Sequence, residues 1–70
     1  MQETYIVNLK HGSVHWRLFF MATAETESEE KWHQALEAID KIAPDFEDSS
    51  EFYKQAIRTM SSFGFQQIMP

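Results

Sequence analysis

Three histidines are the side chains of this sequence best suited to hold a metal ion or to exchange protons near neutral pH. His11 and His15 flank a short segment that contains Gly12, so they could face each other across a turn, and His33 lies further along the chain. A zinc site needs three or four ligands in tetrahedral reach. No third ligand lies close to His11 and His15 in sequence, and the chain has no cysteine. We therefore expect no metal site.

Carboxylates are abundant, but none stands in a sequence context typical of an acid or base catalyst. A catalytic carboxylate usually lies in an apolar pocket that shifts its pKa, whereas Glu30, Glu37 and Asp40 fall on the polar side of a predicted helix. No serine stands in a Gly-x-Ser-x-Gly frame, and the two glycines are too far apart to form a phosphate-binding loop. We expect that the protein is not an enzyme and that it binds no cofactor.

Charge is distributed unevenly along the chain. The 70 residues include 11 acidic and 6 basic side chains, which gives a formal net charge of −5. Ten of the acidic residues fall within residues 25–51, where only two lysines oppose them, and the rest of the chain is net positive. A negative surface of this kind attracts a basic surface and repels nucleic acid, although an acidic helix can equally serve solubility alone.

The acidic segment is our predicted binding surface for a protein partner with a basic surface, and we expect no direct contact with nucleic acid. The carboxylates expected to contact the partner are Glu30, Glu37, Asp40, Glu47, Asp48 and Glu51. No apolar run is long enough to cross a membrane, and residues 1–4 lack the basic start of a signal peptide. We therefore expect a cytoplasmic protein with no membrane contact.

Two strands are predicted to form an antiparallel hairpin at the start of the chain. Apolar residues alternate with polar ones over residues 4–10 and 14–23, and Gly12 lies in the turn between them. The side chains expected to form the core side of the hairpin are Tyr5, Val7, Leu9, Val14, Trp16, Leu18 and Phe20.

Ile6, Phe19 and Met21 point to the other side of this hairpin. If both helices cover the core side, these three residues form an exposed apolar surface, which usually marks an interface. If one helix covers each side, all three are buried. Periodicity cannot place a helix on a sheet, so both arrangements stay open.

Two amphipathic helices follow the hairpin. Apolar residues recur every three or four positions, first up to Ile42, where Pro44 ends the helix, and again up to about Ser62. Thr26 is the expected N-cap of the first helix, and either Asp48 or Ser49 that of the second. Residues 65–69 could add a third strand.

The predicted fold is therefore a single α+β domain over residues 1–70, in the order ββααβ, with three strands if residues 65–69 join the hairpin. The large side chains that we expect in its core are Trp16, Leu18, Trp32 and Leu36.

The segment from Pro44 to Tyr53, an acidic loop that runs into a helix, resembles segments of small acidic anti-CRISPR proteins of phages. The resemblance covers about ten of the 70 residues. It implies a compact α+β protein that inhibits a nucleic-acid-handling complex by direct binding. It assigns no role to any single residue.

Our leading functional hypothesis is a non-enzymatic inhibitor or adaptor that occupies a basic surface of a partner protein. The alternative is a homo-oligomeric structural or accessory protein, in its simplest form a homodimer, that assembles through Ile6, Phe19 and Met21.

Overall fold

The structure is a computed structural model and describes residues 2–23 and 28–68. Three strands and two helices occur in the order ββααβ, which confirms the predicted α+β fold. They are β1 (Gln2–His11), β2 (Val14–Thr23), α1 (Ser28–Ile42), α2 (Ser49–Ser62) and β3 (Gln66–Gln67), with one turn of 3₁₀ helix at Ala43–Asp45 between the helices.

The hairpin forms the larger part of the sheet. All ten residues of β1 pair with β2, from Gln2 opposite Thr23 to His11 opposite Val14. Gly12 occupies the turn with φ of 61°, a left-handed conformation that glycine adopts without steric cost. β3 pairs antiparallel with β2, so β2 is the central strand.

Both helices pack against one face of the sheet, which we call the near face. The buried apolar side chains alternate along the strands and continue into both helices. They are Val7, Leu9, Leu18, Phe20 and Ala22 from the hairpin, Ala35 and Ile39 from α1, Phe52, Ala56 and Met60 from α2, and Phe65. A single layer of helices on a single sheet therefore forms the core.

The predicted core residues differ in how deeply they are buried. Leu18 is fully buried, whereas Trp16, Trp32 and Leu36 are half-buried and pack against the edge of the core. The Trp32 ring centroid lies 4.8 Å from that of Tyr5. Val14, expected on the core side, is 38% exposed because it lies beside the turn at the end of its strand.

The helix ends agree with the capping signals where the structure describes them. α1 ends at Ile42, immediately before the turn that contains Pro44, whereas its expected N-cap, Thr26, lies outside the described residues. Asp48, rather than Ser49, is the N-cap of α2. β3 falls within residues 65–69, although residue 69 also lies outside the described part of the chain.

The core position of Ile39, which is 2% exposed, leads to a stability prediction. We expect Ile39→Ala to lower the free energy of unfolding by about 2–5 kcal/mol, because it removes buried methylenes and leaves a cavity. Urea denaturation followed by tryptophan fluorescence measures this loss. Gln34→Ala, at an exposed position of the same helix, should change stability by less than about 0.5 kcal/mol. Equal effects of the two substitutions would contradict the packing described here.

Candidate functional site

The predicted partner-binding carboxylates all lie on the helical side of the molecule. Glu30, Glu37 and Asp40 are exposed on α1, Glu47 and Asp48 are exposed in the connector, and Glu51 is exposed in the first turn of α2. None of them contributes to the core. Their side chains are therefore available for contact with a partner.

Aromatic contacts show which end of the sheet lies beneath these carboxylates. Phe52, in the first turns of α2, places its ring centroid 4.9 Å from that of His11 and 6.3 Å from that of Trp16, beside the hairpin turn. Phe46 of the connector lies 6.1 Å from the same Phe52 ring. The connector and the start of α2 thus lie above the turn of the hairpin.

Most of the predicted set gathers at this end of the helical layer, which we call the acidic end. It comprises Glu37, Asp40, Asp45, Glu47, Asp48 and Glu51. Asp45, exposed in the turn between the helices, is a member that the sequence-based set omitted. Glu30 lies ten residues before Asp40 on α1, which is about 15 Å along the helix axis. It therefore belongs to the opposite end of the helical layer.

Asp48 has a structural role within the acidic end. Its Oδ1 accepts hydrogen bonds from the backbone N–H of Ser50 at 2.8 Å and from the Ser50 hydroxyl at 3.1 Å. These bonds, the backbone bond first, hold the pKa of the Asp48 carboxyl below its ordinary value of 3.8. Asp48 therefore stays charged while it caps α2.

Glu51 lies next to a cation. Its Oε1 is 3.6 Å from Nζ of Lys54, one helical turn further along α2, and both side chains are more than half exposed. Exposed pairs of this kind contribute little to stability. The pair leaves Glu51 accessible but partly neutralised.

The face of the sheet opposite the helices, which we call the far face, differs in charge. Lys10, His15 and Arg17 project from it near the hairpin turn, and the described strand residues place no carboxylate there. Glu3 is the acidic residue of β1, and it accepts a hydrogen bond from Tyr5, whose ring packs beneath Trp32 on the near face. The far face thus carries cations without carboxylates, whereas the helical side carries the acidic end together with Lys31, Lys41, Lys54 and Arg58.

The far face also carries the apolar residues whose exposure the sequence left open. Ile6 is 49% exposed, and Phe19 and Met21 are partly exposed. Because both helices lie on the near face, neither covers them. Ile68 is a fourth member that the sequence-based set omitted, although strand alternation from Phe65 would have indicated it.

The histidines lie apart from one another. His11 lies on the near face against Phe52, whereas His15 lies on the far face opposite Lys10, so the expectation that they could face each other was wrong. Pairing in the hairpin joins His11 to Val14, which places the two imidazoles on opposite sides of the sheet. His33 is exposed on α1. Within residues 2–23 and 28–68, no group of three or more His, Cys, Asp or Glu side chains could hold a metal ion.

Comparison with protein-family models, with curated proteins and with solved structures finds no match to the chain. The resemblance to anti-CRISPR proteins therefore stays a prediction. Neither helix in the described part of the chain is long and apolar enough to cross a membrane.

The separation of the histidines leads to a prediction about zinc. We expect calorimetric titration of the protein with zinc to show no submicromolar binding, because a stable site needs three or four converging ligands. Submicromolar binding that disappears in the His11→Ala/His15→Ala double variant would contradict this.

The cap formed by Asp48 leads to a prediction about pH. Because the pKa of Asp48 is lowered by folding, its carboxylate stabilises the folded state above pH 3.8, and this contribution is lost as the pH falls through the lower folded-state pKa. We expect Asp48→Ala to lower the melting temperature at neutral pH, and its difference from the wild type to shrink in acid below pH 3.8. Thermal unfolding followed by circular dichroism over a pH series measures both effects.

Two control variants separate the cap from the charge. Asp48→Asn keeps a side-chain acceptor at the N-cap and should lie closer to the wild type than Asp48→Ala at neutral pH. Glu47→Ala removes a neighbouring carboxylate that is not the cap, and it should leave the melting temperature almost unchanged. A deficit of Asp48→Ala that persisted undiminished in acid would contradict the assigned role.

Proposed function

We propose that this chain is a non-enzymatic binding protein whose acidic end docks on a basic surface of a partner protein. The observation that carries the proposal is the gathering of six exposed carboxylates at one end of the helical layer, while the described strands place cations and no carboxylate on the far face. A general need for solubility would be met equally well by carboxylates on both faces. A directional negative field is what a steered encounter requires.

The acidic end is dense enough to act as one electrostatic surface. It holds six carboxylates, opposed nearby in sequence by Lys41 and Lys54. Fields of exposed charges are screened over about 8 Å at physiological ionic strength. Glu37 and Asp40, three residues apart on α1, fall within this distance of each other. Glu30, about 15 Å from Asp40, adds mainly to the long-range field.

The acidic end also rests on ordered elements. The cap at Asp48 fixes the start of α2, and the tilted contact between the Phe46 and Phe52 rings holds the connector against the core. A surface that is ordered before binding loses less conformational entropy on association than a flexible acidic tail. This supports binding to one defined basic surface rather than non-specific attraction to cations.

In its specific form, the proposal is that the partner surface normally binds nucleic acid, and that the protein acts as an inhibitor by occupying it. This form rests on the resemblance of residues 44–53 and on the charge layout. The expected cytoplasmic location and the absence of catalysis belong to the same proposal. An adaptor would use the same acidic end without competing with nucleic acid.

The test compares the wild type with two variants that carry the same change in charge, one near each end of α1. Wild type, Glu37→Lys/Asp40→Lys and Glu29→Lys/Glu30→Lys are each used to capture proteins from host lysate, with identification by mass spectrometry. We expect a partner that is retained by the wild type and by the Glu29/Glu30 variant but lost by the Glu37/Asp40 variant. Asp48 is left intact because it caps α2.

The captured partner is then measured by surface plasmon resonance at low and high salt. We expect the Glu37/Asp40 variant to associate roughly tenfold more slowly at low salt, and the wild type to lose this advantage at high salt. Displacement of the protein by double-stranded DNA would support the inhibitor form over the adaptor form. Equal association rates for all three baits at both salt concentrations would contradict the proposal.

A further inference from the structure

The apolar residues of the far face form a continuous band across the sheet. Ile6 of β1 lies directly opposite Phe19 of β2. The backbone N–H of Ile68 donates to the carbonyl oxygen of Phe19 at 2.8 Å, on the other side of the central strand. Met21 follows Phe19 on the same face. Ile6, Phe19, Met21 and Ile68 together are called the apolar band.

The charge layout favours a second copy of this chain as the occupant of the band. Two copies of a protein with a net charge of −5 repel each other if their acidic ends meet. The far face is the broad side on which the described strands place no carboxylate, and its cations Lys10 and Arg17 lie towards the hairpin turn, outside the band. If two far faces meet about 10 Å apart, the helical layers lie on the outside, well beyond the screening length of about 8 Å.

The dimensions of the molecule set what a stable dimer requires. The molecule measures 37 × 24 × 14 Å, and its shortest dimension is that of two packed layers. A specific interface typically buries about 800 Å² per copy, so a stable dimer needs contact over most of this broad side and not over the band alone.

The polar residues on either side of the band decide the relative orientation of the two copies. Arg17 lies on the side of the band towards the hairpin turn, and Gln66, opposite Met21, lies on the other side. A two-fold axis parallel to the strands would bring Arg17 against Arg17 of the second copy. An axis along the band, across the strands, instead puts the two hairpin turns at opposite ends and places Arg17 over Met21 of the second copy, so that the two Arg17 side chains lie apart.

We propose that the far face is a homodimer interface, in which two copies pack band against band about a two-fold axis that runs across the strands. The resulting particle has four layers, helices outside and two sheets inside, with one acidic end on each outer side. The acidic end takes no part in this contact, so the dimer stands or falls independently of the proposed function.

Sedimentation velocity over a dilution series tests the dimer directly. We expect the wild type to move from the 8.3 kDa monomer towards twice that mass as its concentration rises. Ile6→Lys, at the exposed centre of β1, should raise the dimer Kd by at least about 30-fold, the effect of losing a central contact. Gln34→Lys, which makes the same charge change on the helical side, should leave the Kd within about threefold.

A cysteine crosslink tests the geometry at a protein concentration where sedimentation shows that the Phe19→Cys variant still dimerises. The chain has no cysteine, so Phe19→Cys and Gln34→Cys each place one thiol. Phe19 belongs to the central strand, and strands on both sides prevent it from meeting its copy through a sheet edge. The reagent is a bismaleimide that spans roughly 10 Å, the distance between packed sheets. We expect it to link two copies of the Phe19→Cys variant covalently and to leave the Gln34→Cys variant unlinked.

Three results would overturn the proposal. They are a wild type that stays monomeric up to millimolar concentration, a dimer that Ile6→Lys leaves intact, and a dimer in which only Gln34→Cys crosslinks.

Discussion

Burial of the near face beneath both helices is the constraint on which the other features of this domain depend. A chain of 70 residues can form only one core, and its largest buried side chains, such as Phe20, Phe52 and Met60, come from the sheet and from α2 together. Neither helix is free to cover the opposite side. The far face must therefore remain open to solvent or to another molecule, and every helical carboxylate must point away from the sheet.

The position of the acidic end follows from how the two helices are joined. A short connector brings the end of α1 and the start of α2 to the same side of the hairpin, above its turn. The start of α2 favours acidic side chains because its free N–H groups and dipole attract negative charge, and Asp48 satisfies one of those groups. Capping of α2 and binding of a basic partner would thus use the same acidic residues. Sequence composition alone therefore cannot tell which of the two roles these residues serve.

Local patterns predicted each element of the fold, but not how the elements pack. Alternation at Tyr5, Val7 and Leu9 indicated a strand, and Pro44 marked the end of the first helix. Periodicity gives each helix an apolar stripe without saying which side of the sheet that stripe contacts, so the exposure of Ile6 required the structure. The half-burial of Trp32 could not be predicted either, because an indole at the edge of a small core follows the same spacing as a central residue.

The two surfaces of the domain can act together because the sheet separates them. A partner on the acidic end does not obstruct the far face, and a second copy on the far face leaves the acidic end exposed. A dimer would present two acidic ends on its outer sides, so a partner with two basic sites at a matching distance would bind the second site as an intramolecular step. Such bivalence strengthens binding by 10²–10⁴-fold without any new contact, provided that the geometry allows both sites to engage. The open far face would then contribute to affinity for a partner that it never touches.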